Sequence, residues 1–438
     1  MLTVAVRSCS GLGIACAVAP RWAYPGVKAV TVMPRGMRTA TASSAKRPSP
    51  AAICLISAMP APLFLVLPDH SKAASFDFGE ATLCCPVPAA AHNGAQRDMR
   101  KGRAMDSAFW DEIVSFRHEL HEHPELSGHE MKTKERIASF LASHTSFELE
   151  NHGSWLSAFL CPEGAEGAAP IAFRADMDAL PIDETIGLAY GSCVPGVAHK
   201  CGHDGHVAAL VAAACLMEQD PAIAHPVYLV FQPAEETGEG GRTCAEWLAG
   251  KGASEVYAFH NLSGHREGAV LVRDGMTQPA SCGLTFAFEG KGAHAGTPEL
   301  GRSPAPALAR LQLAAERFTD TEEGMLRLAT TVGMTMGSHD FGISPGSGAI
   351  SFTLRAGTDE DLVHMKETLE TEGQALAQRF GLSLSSELHD LFPATMNDAC
   401  CAARVRACAH DLGIAQEELA EPWRPSEDFG WVVSAMLV

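Results

Sequence analysis

Basic charge is what the main body of this chain lacks. Residues 1–104 carry twelve Lys and Arg against four Asp and Glu, which leaves 21 against 48 for residues 105–438 out of chain totals of 33 and 52. Phosphate backbones are bound through Lys and Arg, so nucleic acid is excluded as an expected partner. Acidic residues are missing in turn from the N-terminal stretch. The first is Asp69, preceded by Arg7, Arg21, Lys28, Arg35, Arg38, Lys46 and Arg47 among Ala, Ser, Thr and Pro. That composition suits an organelle transit peptide, and equally an upstream stretch ahead of a start at Met105. A long apolar run is absent too: residues 51–68 are interrupted by Pro60, Pro62 and Pro68 and fall short of the ~20 residues a spanning helix needs, which argues against a membrane protein. There is no internal repeat. The fourteen cysteines are scattered through a long chain rather than set in a short, loop-rich disulfide scaffold. A reducing compartment is expected: the cytoplasm, or an organelle if residues 1–104 are a transit peptide.

At 438 residues the chain predicts two domains and a tail. Order begins at Asp106, where Phe109, Ile113, Phe116 and Leu120 form one helical stripe over 107–121 behind an Asp/Ser cap. A second amphipathic helix over 130–143 buries Ile137, Phe140 and Leu141, with Pro124 and Gly128 marking the turn between them. The period then changes. Strand-like runs at 155–160, 171–173, 227–231 and 256–259, some of them separated by helical patterns at 205–217 and 241–248, predict an α/β domain with a largely parallel sheet covered on both faces. From Cys282 the order is β-α-β-β-α-β, with strands at 284–289, 327–336, 349–355 and 383–388 and helices at 304–318 and 360–380. This is a ferredoxin-like α+β unit inserted into the first domain. The expected division is an extension at 1–104, disordered or transit-like, a first part at 105–281, the insert at 282–390 and a second part at 391–438.

Ligands of such sheets bind beyond the carboxyl ends of the strands, and polar clusters fall there. In His199-Lys200-Cys201-Gly202-His203-Asp204-Gly205-His206, a thiol and an imidazole two residues apart, joined by a glycine, can point at one ion. Sulfur and nitrogen donors suit zinc or a similar transition metal. Glu235 and Glu236 close the 227–231 strand. Adjacent carboxylates cannot point the same way, so one can ligate a metal while the other takes a proton from water, as metal-assisted hydrolysis requires. His260 is a credible ligand at a third strand end. Asp176, in Arg174-Ala175-Asp176-Met177-Asp178 at a fourth, reads as a group that orients a ligand. Arg355, at a strand end of the insert, can bind a substrate carboxylate bidentately or form an ordinary ion pair.

The segments RHELHEHPELSGHE, RADMDALPIDE, KCGHDGH, VFQPAEETGEGG, AFHN, GKGAHAGTP and RPSEDFG follow one another within residues 116–430. In that order they resemble the aminoacylase and carboxypeptidase superfamily of cocatalytic metallopeptidases. Within it they are most similar to the amidohydrolase branch of hippurate hydrolases, N-acyl-amino-acid amidohydrolases and auxin–amino-acid conjugate hydrolases. The resemblance implies that Cys201, His203, Glu236 and His260 bind metal, one or two ions of Mn2+ or Zn2+, and that Glu235 is the general base. It implies further that the insert is a lid and dimerisation module in a homodimer, and that His294 helps bind an N-acyl amino acid substrate, across the dimer interface if the module pairs there.

The chain departs from that pattern twice. Where relatives carry Asn in an Asn-Val-Ile-Pro stretch, it has Gly342-Ile343-Ser344-Pro345. It also reaches Val438 without the closing strand and the Leu-His-x-Pro motif that supplies the last ligand; His265, His294, His339, His364, His389 and His410 have no comparable context. A two-metal site would be one ligand short, and an edge of the main sheet would be uncovered. Amidohydrolysis of N-acyl amino acids is the expected activity. The alternatives are a truncated, impaired relative that dimerises and binds ligand, and a dipeptidase or carboxypeptidase.

Overall fold

The computed structural model describes residues 2–7, 105–321 and 326–436. Helix α1 (Ser107–Glu122) begins where Asp106 accepts a hydrogen bond from Phe109 N at 3.0 Å, which satisfies one of the open N–H groups of the first turn. Its stripe of Ile113, Phe116 and Leu120 is buried, as are Ile137 and Leu141 of α2 (Met131–His144). Helix α3 (His203–Glu218) is buried without a break from His206 to Cys215, which matches its lack of a polar face.

Strands, numbered along the chain, build a main sheet of eight: β1 (Leu2–Arg7), β2 (Glu148–Asn151), β3 (Leu156–Leu160), β4 (Ile171–Asp176), β5 (Val227–Gln232), β6 (Glu255–His260), β7 (Val270–Val272) and β17 (Gln416–Glu418). Their order is β17-β7-β1-β6-β4-β5-β3-β2. β4 is parallel to β5 and β6, and β7 is parallel to β1 and β17. β1 runs antiparallel to β6, and β3 antiparallel to β2 and β5. The expected largely parallel sheet is therefore mixed. The physical reason is plain at β2 and β3: four residues join them, and a parallel return needs a dozen or more.

Of residues 1–104, the expected disordered or transit-like extension, only Leu2–Arg7 falls among the described residues. It is a strand in the interior of the sheet, with Leu2 opposite His260 and Arg7 opposite Glu255. The side of β6 away from β4 is thus paired rather than open.

Helix α3 packs on β4 and β5 with α1 and α2 against it. Helix α4 (Gly240–Gly250) pairs with α8 (Gly430–Met436), and α7 (Ala399–Asp411) packs on β1, β7 and β17. A second, antiparallel sheet holds β9 (Ala280–Glu289), β11 (Thr319–Asp320), β12 (Arg327–Met336), β14 (Ser347–Ala356) and β15 (Ser383–Phe392) in the order β11-β12-β14-β9-β15. With α5 (Ala305–Ala315) and α6 (Asp359–Phe380) it follows the β-α-β-β-α-β order and has its own core around Phe286, Phe288, Leu311, Phe352 and Leu369. Two short pairings complete the strands: β8 (Gly275–Gln278) with β16 (Thr395–Asn397), and β10 (Ala293–His294) with β13 (Ile343–Ser344). Among the described residues no helix is long and apolar enough to cross a membrane.

One half-buried acid in this second unit makes a stability prediction. Asp359 accepts a hydrogen bond from Ala394 N at 2.7 Å, yet burial, with Glu360 beside it, pushes its carboxyl up to about 6. A carboxyl whose folded pKa lies above its unfolded one makes the folded state bind more protons, so stability rises as pH falls from 6 toward 4. Asp359→Asn keeps the acceptor and removes the charge. It is expected to gain about 1–3 kcal/mol at pH 7 and to lose that rise, read by calorimetry at pH 7 and 4.5.

Candidate metal centre

Three parallel strands end at the site: Asp176 is the last residue of β4, Gln232 of β5 and His260 of β6. Cys201 and His203 come from the turn into α3. Gly202 has φ +100° there, and a Cβ on it would lie 2.5 Å from Asn261 Oδ1, so this turn requires glycine. The turn before the paired glutamates is also unusual: Ala234 has φ +49°, a costly value away from glycine, and its N–H donates to Glu130 Oε1 at 2.7 Å.

These turns converge. Cys201 Sγ is 3.3 Å from His260 Nε2, and His203 Nε2 lies 3.8 Å from Glu236 Oε1, 3.9 Å from Asp176 Oδ2 and 4.0 Å from Glu235 Oε2. One ligand atom from each of Cys201, His203 and His260 falls within 4.8 Å of the others, and so does one from each of His203, Glu235 and Glu236. Neighbours fix the rings. His203 Nδ1 is engaged by Asp178 (O at 3.0 Å, Oδ1 at 3.1 Å) and His260 Nδ1 by Asn261 O at 2.7 Å, so both present Nε2 to the centre. His203 Nε2 and Glu236 Oε1 are buried without any hydrogen-bond partner. Buried polar atoms are nearly always paired, and two orphans facing each other across 3.8 Å are what a site for a cation leaves behind.

The electrostatics agree. Burial, with Glu427 and Asp428 nearby, pushes the Glu235 carboxyl well above its usual range, and burial also raises Glu236 and the Cys201 thiol. Burial, with His206 and His203 nearby, lowers His260 to about 3. Burial would raise Asp176 as well, but His203, Arg174 and His206 hold it well below the carboxylate range. A cation at the centre would favour the charged forms of the thiol and the carboxylates.

Asp176 lies within this cluster: its Oδ1 is 2.6 Å from His206 Nδ1 and its Oδ2 accepts from Arg174 at 2.7 Å. Arg174 is the hub of a buried network that the sequence reading passed over. Its guanidinium donates to Gln232 Oε1 at 2.9 Å and Asp428 Oδ1 at 2.8 Å and lies 3.0 Å from Glu427 Oε1. Asp428 also accepts from Gln232 Nε2 and from Gly241 N. Arg174→Met would leave Asp176, Glu427 and Asp428 buried around no cation. It is expected to cost about 3–5 kcal/mol, measured as a lower urea midpoint at unchanged slope.

A second network fixes the approach to Cys201. Asp204 Oδ2 accepts from Arg117 Nε and lies beside His121 Nδ1, both at 2.8 Å; His121 Nε2 is 3.1 Å from Glu184 Oε2, and Lys200 pairs with Glu184. His206, Asp178, Asn261, Glu427 and Asp428 were likewise missed as site residues. The available signal was their adjacency to residues already singled out.

A cavity of about 520 Å³ opens on the cluster, lined by Cys201, Glu235, Glu236 and His260 together with Arg355, Phe392, Trp423, Arg424, Pro425 and Ser426. Arg355 thus reaches the site. His294 does not: it is exposed on β10, with Nδ1 accepting from Gly296 N at 3.0 Å. Among the described residues none of His265, His294, His339, His364, His389 and His410 belongs to a group able to hold a metal.

The profile of Peptidase family M20/M25/M40 matches residues 172–437. The N-acetyl-L-cysteine deacetylase of Bacillus subtilis (strain 168) is 31% identical over 73% of this chain and 77% of its own length. The IAA-amino acid hydrolase ILR1-like 4 of Arabidopsis thaliana is 29% identical over 75% and 76%. Among solved structures, the Bacillus subtilis YXEP protein, a dinuclear metal binding peptidase from the M20 family, superposes with a TM-score of 0.64 at 26% identity, covering 76% of this chain and 88% of that one.

Proposed function

The chain belongs to peptidase family M20/M25/M40, and on that premise we propose that it is a metal-dependent amidohydrolase of N-acyl amino acids. One observation carries the reading: the unpartnered His203 Nε2 and Glu236 Oε1 face each other beside Glu235, with Cys201 and His260 adjoining. Cys201, His203, Glu236 and His260 would hold one or two divalent ions, Mn2+ or Zn2+; the thiol favours zinc. The ion supplies Lewis-acid polarisation of the scissile carbonyl and lowers the pKa of water beside it.

The remaining steps belong to this chain's own side chains. Glu235, buried and 4.0 Å from His203 Nε2, takes a proton from the attacking water and delivers it to the amide nitrogen as the C–N bond breaks. Water oxygen ends on the acyl carbon, and a free amino acid leaves. Asp178 and the Asn261 carbonyl hold the two imidazoles in their working tautomers, an orienting task that metal sites commonly assign to such neighbours. Arg355 receives the substrate carboxylate. The second sheet acts as lid and dimerisation module, with His294 contributing from its exposed position to a partner's site. The relatives named deacetylase and amino acid hydrolase support this substrate class.

The test uses the full chain with added Mn2+, Zn2+ or Co2+ and follows amino acid released from hippurate and acetyl-amino acids. Turnover that a chelator abolishes is expected. No turnover and no bound metal would favour the impaired relative, and faster cleavage of dipeptides would favour a peptidase.

A further inference from the structure

Resting on that reading, we propose that Glu130 is a positioning residue for the general base, acting on Glu235 through the backbone of Ala234. Ala234 stands between β5 and the paired glutamates with φ +49°, a conformation that a residue with a Cβ keeps only where its surroundings hold it. Its carbonyl is held from within the turn, accepting from Glu239 N and Gly240 N at 3.2 Å each. Its N–H is held from outside, by Glu130 Oε1 at 2.7 Å, 104 residues away along the chain. Glu235 is the next residue, so the direction of its side chain follows the backbone angles that these hydrogen bonds maintain.

The Glu130 side chain does not serve its own helix. Glu130 is the N-cap of α2 but makes no side-chain cap hydrogen bond. Thr133 N, a group that an N-cap side chain ordinarily takes, donates instead to Glu125 Oε2 at 2.7 Å. Glu130 is buried, and its Oε2 has no partner. Burial pushes its carboxyl up, and an unpaired buried oxygen is destabilising. Packing alone would be better met by an apolar residue. What only an acceptor supplies here is the bond to Ala234 N. The same connection between α1 and α2 reaches Glu236 by a separate route: Ser127 Oγ donates to Asp178 Oδ2 at 2.7 Å, and that oxygen accepts from Glu236 N at 3.0 Å. Glu236 thus keeps its own anchor when Glu130 is changed, and the two glutamates can be separated by experiment.

Glu130→Met keeps an unbranched side chain of similar length with a weak acceptor at most, whereas Glu130→Gln retains a carbonyl oxygen. In the full chain loaded with Mn2+ or Zn2+, Glu130→Met is expected to lower kcat on hippurate about 10²-fold, the scale of a misplacement of about 1 Å at the reaction centre. KM should stay within about twofold, because ground-state binding is untouched, and elemental analysis should find as much metal per chain as in the parent. Glu130→Gln should return kcat to within about threefold of the parent, since the acceptor for Ala234 N is restored. A Glu130→Met protein that keeps the parent kcat, loses activity only in proportion to its metal, or fails to fold would overturn the proposal. So would a Glu130→Gln protein as slow as Glu130→Met. Each of those results leaves the hydrolase intact, whereas absence of turnover by the parent chain would overturn the hydrolase reading and this inference with it.

Discussion

Glu235→Gln is expected to lose amide hydrolysis by about 10²–10⁴-fold, the range general acid–base groups supply, while still binding metal. The separation of the two effects is the point. Glu236, not Glu235, has an unpartnered oxygen opposite His203 Nε2, whereas Glu235 Oε1 accepts from Asp428 N at 3.4 Å. A glutamine keeps that acceptor and the shape of the side chain but cannot carry the proton. Glu236→Gln should behave in the opposite sense, losing metal first and activity as a consequence. Single-turnover rates combined with elemental analysis distinguish them; a Glu235→Gln protein that fails because it is empty would reverse the two roles.

Removal of residues 1–7 is expected to do comparable damage by another route. β6 is buried along its whole length, β1 pairs with it over six residues, and the register sets Leu2 opposite His260. Without β1 one side of β6 loses its partners, at about 1–3 kcal/mol for each backbone group that stays dry, and the strand that delivers a proposed ligand loses its lateral support. The shortened chain should unfold at least about 10 °C lower and retain less metal. Ala5→Pro is the point version, since proline cannot donate to an interior ladder. Calorimetry and metal content read both, and an unchanged midpoint in the two variants would show that β1 contributes nothing to the sheet.

Much of the centre was legible because its signals are local. Cys201 and His203 share one turn at the start of a helix, while Glu235 and Glu236 are neighbours that follow, and His260 closes, apolar runs whose lengths already announce strands. The helix over 107–121 and the β-α-β-β-α-β order were readable for the same reason: period and length suffice. What stayed hidden depends on partners far apart in the chain. Nothing near Arg174 announces Asp428, 254 residues away, and nothing in a Thr-Val-Ala-Val run says that it will pair with 255–260. The mixed sheet was misjudged because alternating strands and helices predict parallel neighbours only for strands joined by crossovers, whereas β2 and β3 form a short hairpin. Trp423 carries no motif at all; its contact with His260 is visible only in three dimensions.

X-ray absorption at the zinc edge of the zinc-loaded full chain reaches the central claim directly, because sulfur and nitrogen scatter distinguishably. With Cys201 and the two imidazoles around the ion, the spectrum should contain one sulfur at about 2.3 Å with nitrogen and oxygen at about 2.0–2.2 Å, and Cys201→Ser should erase the sulfur shell alone. A shell of only nitrogen and oxygen in the parent chain, or a spectrum identical in Cys201→Ser and His260→Ala, would contradict the account.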